Sequence, residues 1–177
     1  MPLNLTDFHD LLLKGNIFKE IVKTLFEKSG YLVISYGYEN QLSSIKSELS
    51  KTNNSLTALK IRSSPDLLIY DSQNREVKLV EVKMCSYETP RLSRNQFEAY
   101  RKFWEDAILL FVVPFKNVFY AQEIYNLGFK AQYDPLTDFR KVQEIFPRLK
   151  DEDLKNYGTI ACNLITAMRK KSFEEIE

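Results

Sequence analysis

The chain has 177 residues, 44% hydrophobic and 13% aromatic, enough for one folded domain with a substantial core. Its 25 basic and 24 acidic residues leave a net charge of +1, so there is no global basic field and a polyanion partner must be held by a local patch. A single histidine, His9, excludes a His-rich zinc site, and the two distant cysteines, Cys85 and Cys162, match no metal-ligand spacing and read as free thiols of a reducing cytoplasm. Met1 to Asp10 is too polar for a signal peptide, and no apolar run approaches the roughly 20 residues of a membrane span. No internal repeat stands out.

In chain order, Leu11-Leu12-Leu13 suggests a short helical turn before Gly15. Asn16 is a candidate cap for a helix to about Lys28, with Ile17, Ile21, Val22, Leu25 and Phe26 as its apolar stripe. Gly30 ends that helix, and Tyr31 to Tyr36 reads as a strand. Residues 37–64 are the compositional outlier, rich in Ser, Asn, Gln and Lys from Glu39 to Ser55. Leu42, Ile45 and Leu49 allow a weak amphipathic helix there, and Ser55 to Arg62 alternates apolar and polar residues like a strand. From Gln41 to Ser64, Lys46, Lys51, Lys60 and Arg62 outweigh Glu48. Two readings stay open for this segment: a solvated surface insertion, or an arm that touches a phosphate backbone.

Next come two apolar strands around the turn Ser72-Gln73-Asn74-Arg75. A simple hairpin puts Asp71 opposite Glu76, Tyr70 opposite Val77, Leu68 opposite Leu79 and Asp66 opposite Glu81. Lys83, two residues beyond Glu81, leans to the same face. Opposed carboxylates repel, and a divalent cation between them would remove that penalty. Met84 to Pro90 reads as a loop and Leu92 to Trp104 as a helix capped by Ser93. Ala107 to Val113 reads as a buried strand and Asn117 to Ala121 as a shorter one. Residues 122–136 look irregular, and Thr137 to Phe146 and Asp151 to Arg169 read as two helices. This is a mixed α/β pattern with helices on both sides of a central sheet. The whole chain is expected to form one domain, with a core over 16–121, a polar insertion over 38–62 and a C-terminal helical extension over 137–170.

Pro65-Asp66 followed by Glu81-Val82-Lys83 resembles the active-site signature of the PD-(D/E)XK nuclease superfamily. The resemblance implies the restriction-endonuclease-like fold, an αβββαβ core with a mixed sheet. Glu20 is similar to the helix glutamate that many of these nucleases aim at their metal; its plainer reading is a solvated carboxylate beside Lys19 or Lys23. Gln96-Phe97-Glu98-Ala99-Tyr100 resembles the Q-x-x-x-Y motif of the RecB-type branch, and i,i+4 spacing puts Gln96 and Tyr100 on one helix face. Leu92-Ser93-Arg94-Asn95-Gln96 and the Lys14-Gly15 lead into the first helix also resemble archaeal Holliday-junction resolvases, so the branch stays open. The iron–sulfur relatives need four cysteines and are excluded by two.

The resemblance implies Mg²⁺ or Mn²⁺ on Asp66, Glu81, the Val82 backbone carbonyl and Glu20. Lys83 would then orient or help deprotonate the nucleophile, and Gln96 and Tyr100 would position it or a phosphate. Lys60, Arg62, Arg91 and Arg94 are the candidate contacts to DNA. The expected activity is metal-dependent hydrolysis of DNA phosphodiesters. A homodimeric junction resolvase and a catalytically silent nucleic-acid- or protein-binding module are the alternatives. Phe115, Phe119 and Tyr120 are one candidate dimer surface, although aromatic residues are more often core.

Overall fold

Six consecutive apolar residues without polar alternation suit a strand covered on both faces. Ile108–Val113 is that strand, β4, and every one of its residues is buried. The computed structural model describes residues 5–38, 46–52, 55–85 and 89–174 and builds a six-stranded sheet around it. In chain order the elements are α1 (Leu5–Lys28), β1 (Leu32–Ser35), α2 (Lys46–Lys51), α3 (Leu56–Arg62), β2 (Leu67–Asp71), β3 (Glu76–Met84) and α4 (Arg94–Phe103). After β4 come β5 (Val118–Glu123), α5 (Pro135–Asp138), β6 (Arg140–Lys141), α6 (Val142–Ile145) and α7 (Asp151–Glu174).

The strands lie in the order β1-β2-β3-β4-β5-β6. Each neighbouring pair is antiparallel except β3 and β4, which run parallel. Parallel neighbours need a long crossover, and α4 supplies it. Apart from α2 and α3, inserted between β1 and β2, the order from α1 to β4 is the expected αβββαβ.

Alternation along the strands sorts two cores onto the two faces. Val80 and Val82 of β3 and Ile108, Leu110 and Val112 of β4 pack under α1 and α7 with Phe18, Val22, Leu25 and Phe26. Leu109, Phe111 and Val113 face the other way, toward Leu92, Phe97 and Tyr100 of the α4 side. Glu81 and Lys83 share this second parity, so β3 delivers them to the α4 face. α1 ends as the sequence suggests. Gly30 has φ of 85°, and the Gly30 and Tyr31 amides donate to Glu27 and Phe26 carbonyls at 2.9 and 3.1 Å, a Schellman closure.

Four expectations need correction. The first helix does not start at Asn16: α1 begins at Leu5 and passes through Gly15. One helical glycine costs only about 1 kcal/mol, too little to break the run. Ser55 to Arg62 is not a strand but α3, because the Ser55 hydroxyl accepts from the Ala58 amide at 3.2 Å and caps it. Thr137 to Phe146 is not one helix but α5, β6 and α6. Phe139 is buried in one core and Phe146 in the other, so the chain must change faces between them. Phe115, Phe119 and Tyr120 do not form an exposed face: Phe119 is core, Tyr120 packs against the opposite core, and Phe115 alone is exposed. The expected Leu42 and Ile45 helix positions lie outside the described residues.

α7 crosses the β4–β5 connection closely enough to require a glycine. A Cβ on Gly158 would stand 2.7 Å from Asn117 Cα, a backbone atom that cannot swing aside. Asn117 is itself in the left-handed region, with φ of 52°. Helix propensity alone would reward Gly158→Ala by about 1 kcal/mol. Overpacking against backbone opposes this with about 1–3 kcal/mol and is expected to win. Urea denaturation should therefore show Gly158→Ala less stable than wild type; equal or higher stability would contradict the close contact.

Candidate active site at the end of the hairpin

The hairpin register sets the geometry. β2 and β3 pair Leu67 with Val80, Leu68 with Leu79, Tyr70 with Val77 and Asp71 with Glu76. This is the register expected from the turn, and Asp71 holds that turn by accepting from the Gln73 amide at 3.0 Å and the Asn74 amide at 3.4 Å. Asp66 stands one residue before β2, where the same register continues to Glu81. Its carbonyl accepts from the Tyr36 and Gly37 amides at 2.8 and 3.1 Å, which ties it to the chain leaving β1. Both carboxylates are buried, each with 6% of its surface exposed.

Each carboxylate has a lysine. Lys83 Nζ lies 2.7 Å from Glu81 Oε1, and Lys19 Nζ lies 2.7 Å from Asp66 Oδ1. The second Asp66 oxygen, Oδ2, accepts from the Val82 amide at 2.9 Å. Tyr100 OH donates to Glu81 Oε1 at 2.7 Å, and the Lys83 ammonium sits 5.8 Å from the centre of the Tyr100 ring. Burial first, and then the charge of Glu81, push the Asp66 carboxyl up from its usual range to about 6. Burial and the Glu81 charge also raise the Tyr100 phenol, which stays a neutral donor.

The Val82 carbonyl faces the same place. An extended residue points its N–H and C=O to one edge of the strand. Cys85 N–H donates to Val112 O of β4 at 2.9 Å, so odd-numbered positions address β4 and even-numbered ones, Val82 included, address the Asp66 side. Asp66, Glu81 and the Val82 carbonyl thus form a hard-oxygen donor set that fits Mg²⁺ or Mn²⁺. Repulsion from Glu81, which adds to burial in raising Asp66, is the penalty such an ion would remove. Among the described residues, no cluster of three or more His, Cys, Asp or Glu side chains forms a metal site.

Asp66, Glu81, Lys19, Lys83 and Tyr100 line a cleft of about 330 Å³ with Tyr38, Arg62, Ser64, Asn95 and Gln96. α1 and α4 supply walls, and α3 brings Arg62 to the rim. The Trp104 indole donates to Lys60 O at 3.3 Å and Ser63 Oγ at 3.2 Å, fastening α3 to the end of α4.

Several expected site residues are placed elsewhere. Glu20 does not enter the cleft. It is exposed and lines a groove between α1 and α7 with Ile21, Thr24 and Tyr157, because the residue one step earlier, Lys19, faces Asp66. Gln96 reaches the cleft wall, but its side chain closes a capping box, accepting from the Ser93 amide at 3.3 Å. It does not touch the carboxylates. Lys60 lies 5.5 Å from the centre of the Trp104 ring, outside the cleft lining. Arg91 donates to Gln132 at 3.4 Å, and Arg94 pairs with Glu98 at 3.1 Å and stacks over Phe129 at 5.3 Å. Both are exposed and outside the lining. Lys19 was missed by sequence reasoning. The only signal for it was helical phase: Phe18, Val22, Leu25 and Phe26 fix the buried stripe of α1 and turn position 19 toward the sheet end.

No protein-family model matches the chain, and no curated protein does. Among solved structures, the chain is similar to Hjc, a Holliday junction resolvase from the archaeal hyperthermophile Archaeoglobus fulgidus. The identity is 16% and the TM-score 0.49, over 74% of this chain and 98% of that one.

The raised Asp66 carboxyl has a measurable sign. In EDTA, NMR titration of Asp66 should give a midpoint of about 6, and Glu81→Gln should lower it. The folded value lies above the ordinary aspartate value of 3.8, so the folded state binds this proton more tightly. The stabilisation from this group is therefore complete below the unfolded value and lost as pH rises through about 6. A midpoint near 3.8, unmoved by Glu81→Gln, would contradict the confrontation of the two carboxylates.

Proposed function

We propose that the chain is a divalent-metal-dependent nuclease of the PD-(D/E)XK type that hydrolyses DNA phosphodiester bonds. The observation that carries this reading is the pair Asp66 and Glu81, buried at 6% exposure each, with Lys83 in the same cleft. Burying two like charges is costly and unnecessary for the fold. As the ends of a hard-oxygen ligand set, they have a reason to be there. Simple salt bridges, Lys83 to Glu81 and Lys19 to Asp66, would account for each carboxylate singly, but not for the burial of the two against each other. A module that binds without cutting has no use for Lys83 inside the cleft.

A Mg²⁺ or Mn²⁺ ion held by Asp66, Glu81 and the Val82 carbonyl would polarise a phosphate oxygen and acidify water. The remaining work belongs to this chain's own groups. Lys83 is held between Glu81 and the Tyr100 ring, with its ammonium available to orient the attacking water. The same charge stabilises the negative charge that grows on the phosphate oxygens in the transition state. Tyr100, a neutral donor, fixes the Glu81 rotamer through its 2.7 Å bond. The Val82 amide does the same for Asp66. Arg62 at the rim is placed to hold a flanking phosphate. Water oxygen bonds to phosphorus and the bridging P–O bond breaks, leaving one phosphate terminus and one hydroxyl terminus.

The test is cleavage of plasmid, linear duplex and four-way-junction DNA, with Mg²⁺ and with EDTA. Wild type should cut at least one substrate only with metal. Asp66→Ala, Glu81→Ala and Lys83→Ala should each lose about 10²–10³-fold or more. Tyr100→Phe keeps the ring and removes one charge-assisted hydrogen bond, so a loss of about tenfold is expected. Paired, symmetric incision of the junction by a protein that scatters light as a dimer would narrow the reading to a junction-resolving homodimer. Failure of the wild type on every substrate with Mg²⁺ and Mn²⁺ would sink the enzyme reading.

A further inference from the structure

We infer that Lys19 acts as a built-in cation in the cleft and limits it to one divalent ion per chain. This rests on the metal-nuclease reading above and deepens it by specifying the metal stoichiometry.

The argument begins with helical phase. Consecutive residues of α1 are about 100° apart, so one wall of the cleft can receive Lys19 or Glu20 but not both. The buried stripe of Phe18, Val22 and Leu25 decides for Lys19. Its ammonium lies 2.7 Å from Asp66 Oδ1, and its side chain is only 26% exposed. Asp66 Oδ2 is turned to the Val82 amide and Glu81 Oε1 to Tyr100 and Lys83. The Asp66 oxygen facing α1 is therefore the one on which an ion on the α1 side would have to sit, and an ammonium is already there.

The ligand set and the charge agree with this. Among the described residues, no third carboxylate, histidine or cysteine joins Asp66 and Glu81 in a metal-holding cluster. Asp66 and Glu81 balance Lys19 and Lys83, and Arg62 in the lining adds one positive charge. One divalent ion makes the cleft positive enough to draw a phosphodiester. A second would be placed against Lys19 with no added anion to hold it. Position 19 therefore determines how many ions the site takes: an anion there would complete a second ligand set, whereas a cation replaces it.

Mn²⁺ binding to the full chain, followed by the EPR signal of free Mn²⁺, reads this count without any activity assay. Wild type is expected to bind one ion, lost in the double variant Asp66→Ala, Glu81→Ala. Lys19→Arg keeps the charge and should also bind one. Lys19→Glu should bind two. Lys19→Met removes the charge without adding a ligand and should bind one ion about tenfold or more tighter; it decides the matter if Lys19→Glu fails to fold by circular dichroism. Two ions on the wild type would overturn the inference and leave the nuclease reading standing. So would Lys19→Glu and Lys19→Met each binding one ion with wild-type affinity. Absence of Mn²⁺ binding by wild type would overturn the metal-nuclease reading, and this inference with it.

Discussion

The whole arrangement turns on two like charges that have been taken out of water side by side. Asp66 and Glu81 would not stay ionised together without compensation, and everything around them supplies it: a lysine for each, an amide for one and a phenol for the other. The compensation draws on widely separated parts of the chain. Lys19 comes from α1, Asp66 from the entry to β2, Glu81 and Lys83 from β3, and Tyr100 from α4. The cleft therefore exists only when the sheet end, both helical layers and the hairpin are assembled. That couples the site to the fold more tightly than a loop-borne site would be.

The parallel step from β3 to β4 is the second constraint. It forces a crossover, and the crossover is α4, the element that carries Tyr100 over Glu81. It also buries β4 on both sides, which the unbroken run from Ile108 to Val113 already satisfies. Backbone topology and the geometry of the cleft thus come from the same connection.

Much of this was legible in the residues. The hairpin register followed from a four-residue turn, and the parity of Asp66, Glu81 and Lys83 followed from the register. β4 followed from its run of apolar side chains, and the Gly30 stop followed from left-handed backbone. Where sequence reasoning failed, local patterns were ambiguous and tertiary packing decided. Ser55 to Arg62 alternates well enough for a strand, but the Ser55 cap and the buried Ala58 make Leu56–Arg62 a helix. Phe139 and Phe146 share a helical-looking segment, yet each belongs to a different core. Glu20 had the right chemistry for the site and Lys19 the right phase. A one-residue difference on a helix is settled only when the neighbouring layers are in place.

The chain has one tryptophan, and it is built into the seam between the insertion and the core. Trp104 ends α4, donates to Lys60 O and Ser63 Oγ, and meets Tyr36 edge-on at 6.2 Å. Three segments that border the cleft converge on one indole. Its emission is thus an intrinsic optical gauge of the seam: a ligand that pries α3 from α4 must change the hydrogen bonding of the ring and shift the spectrum, with no label added.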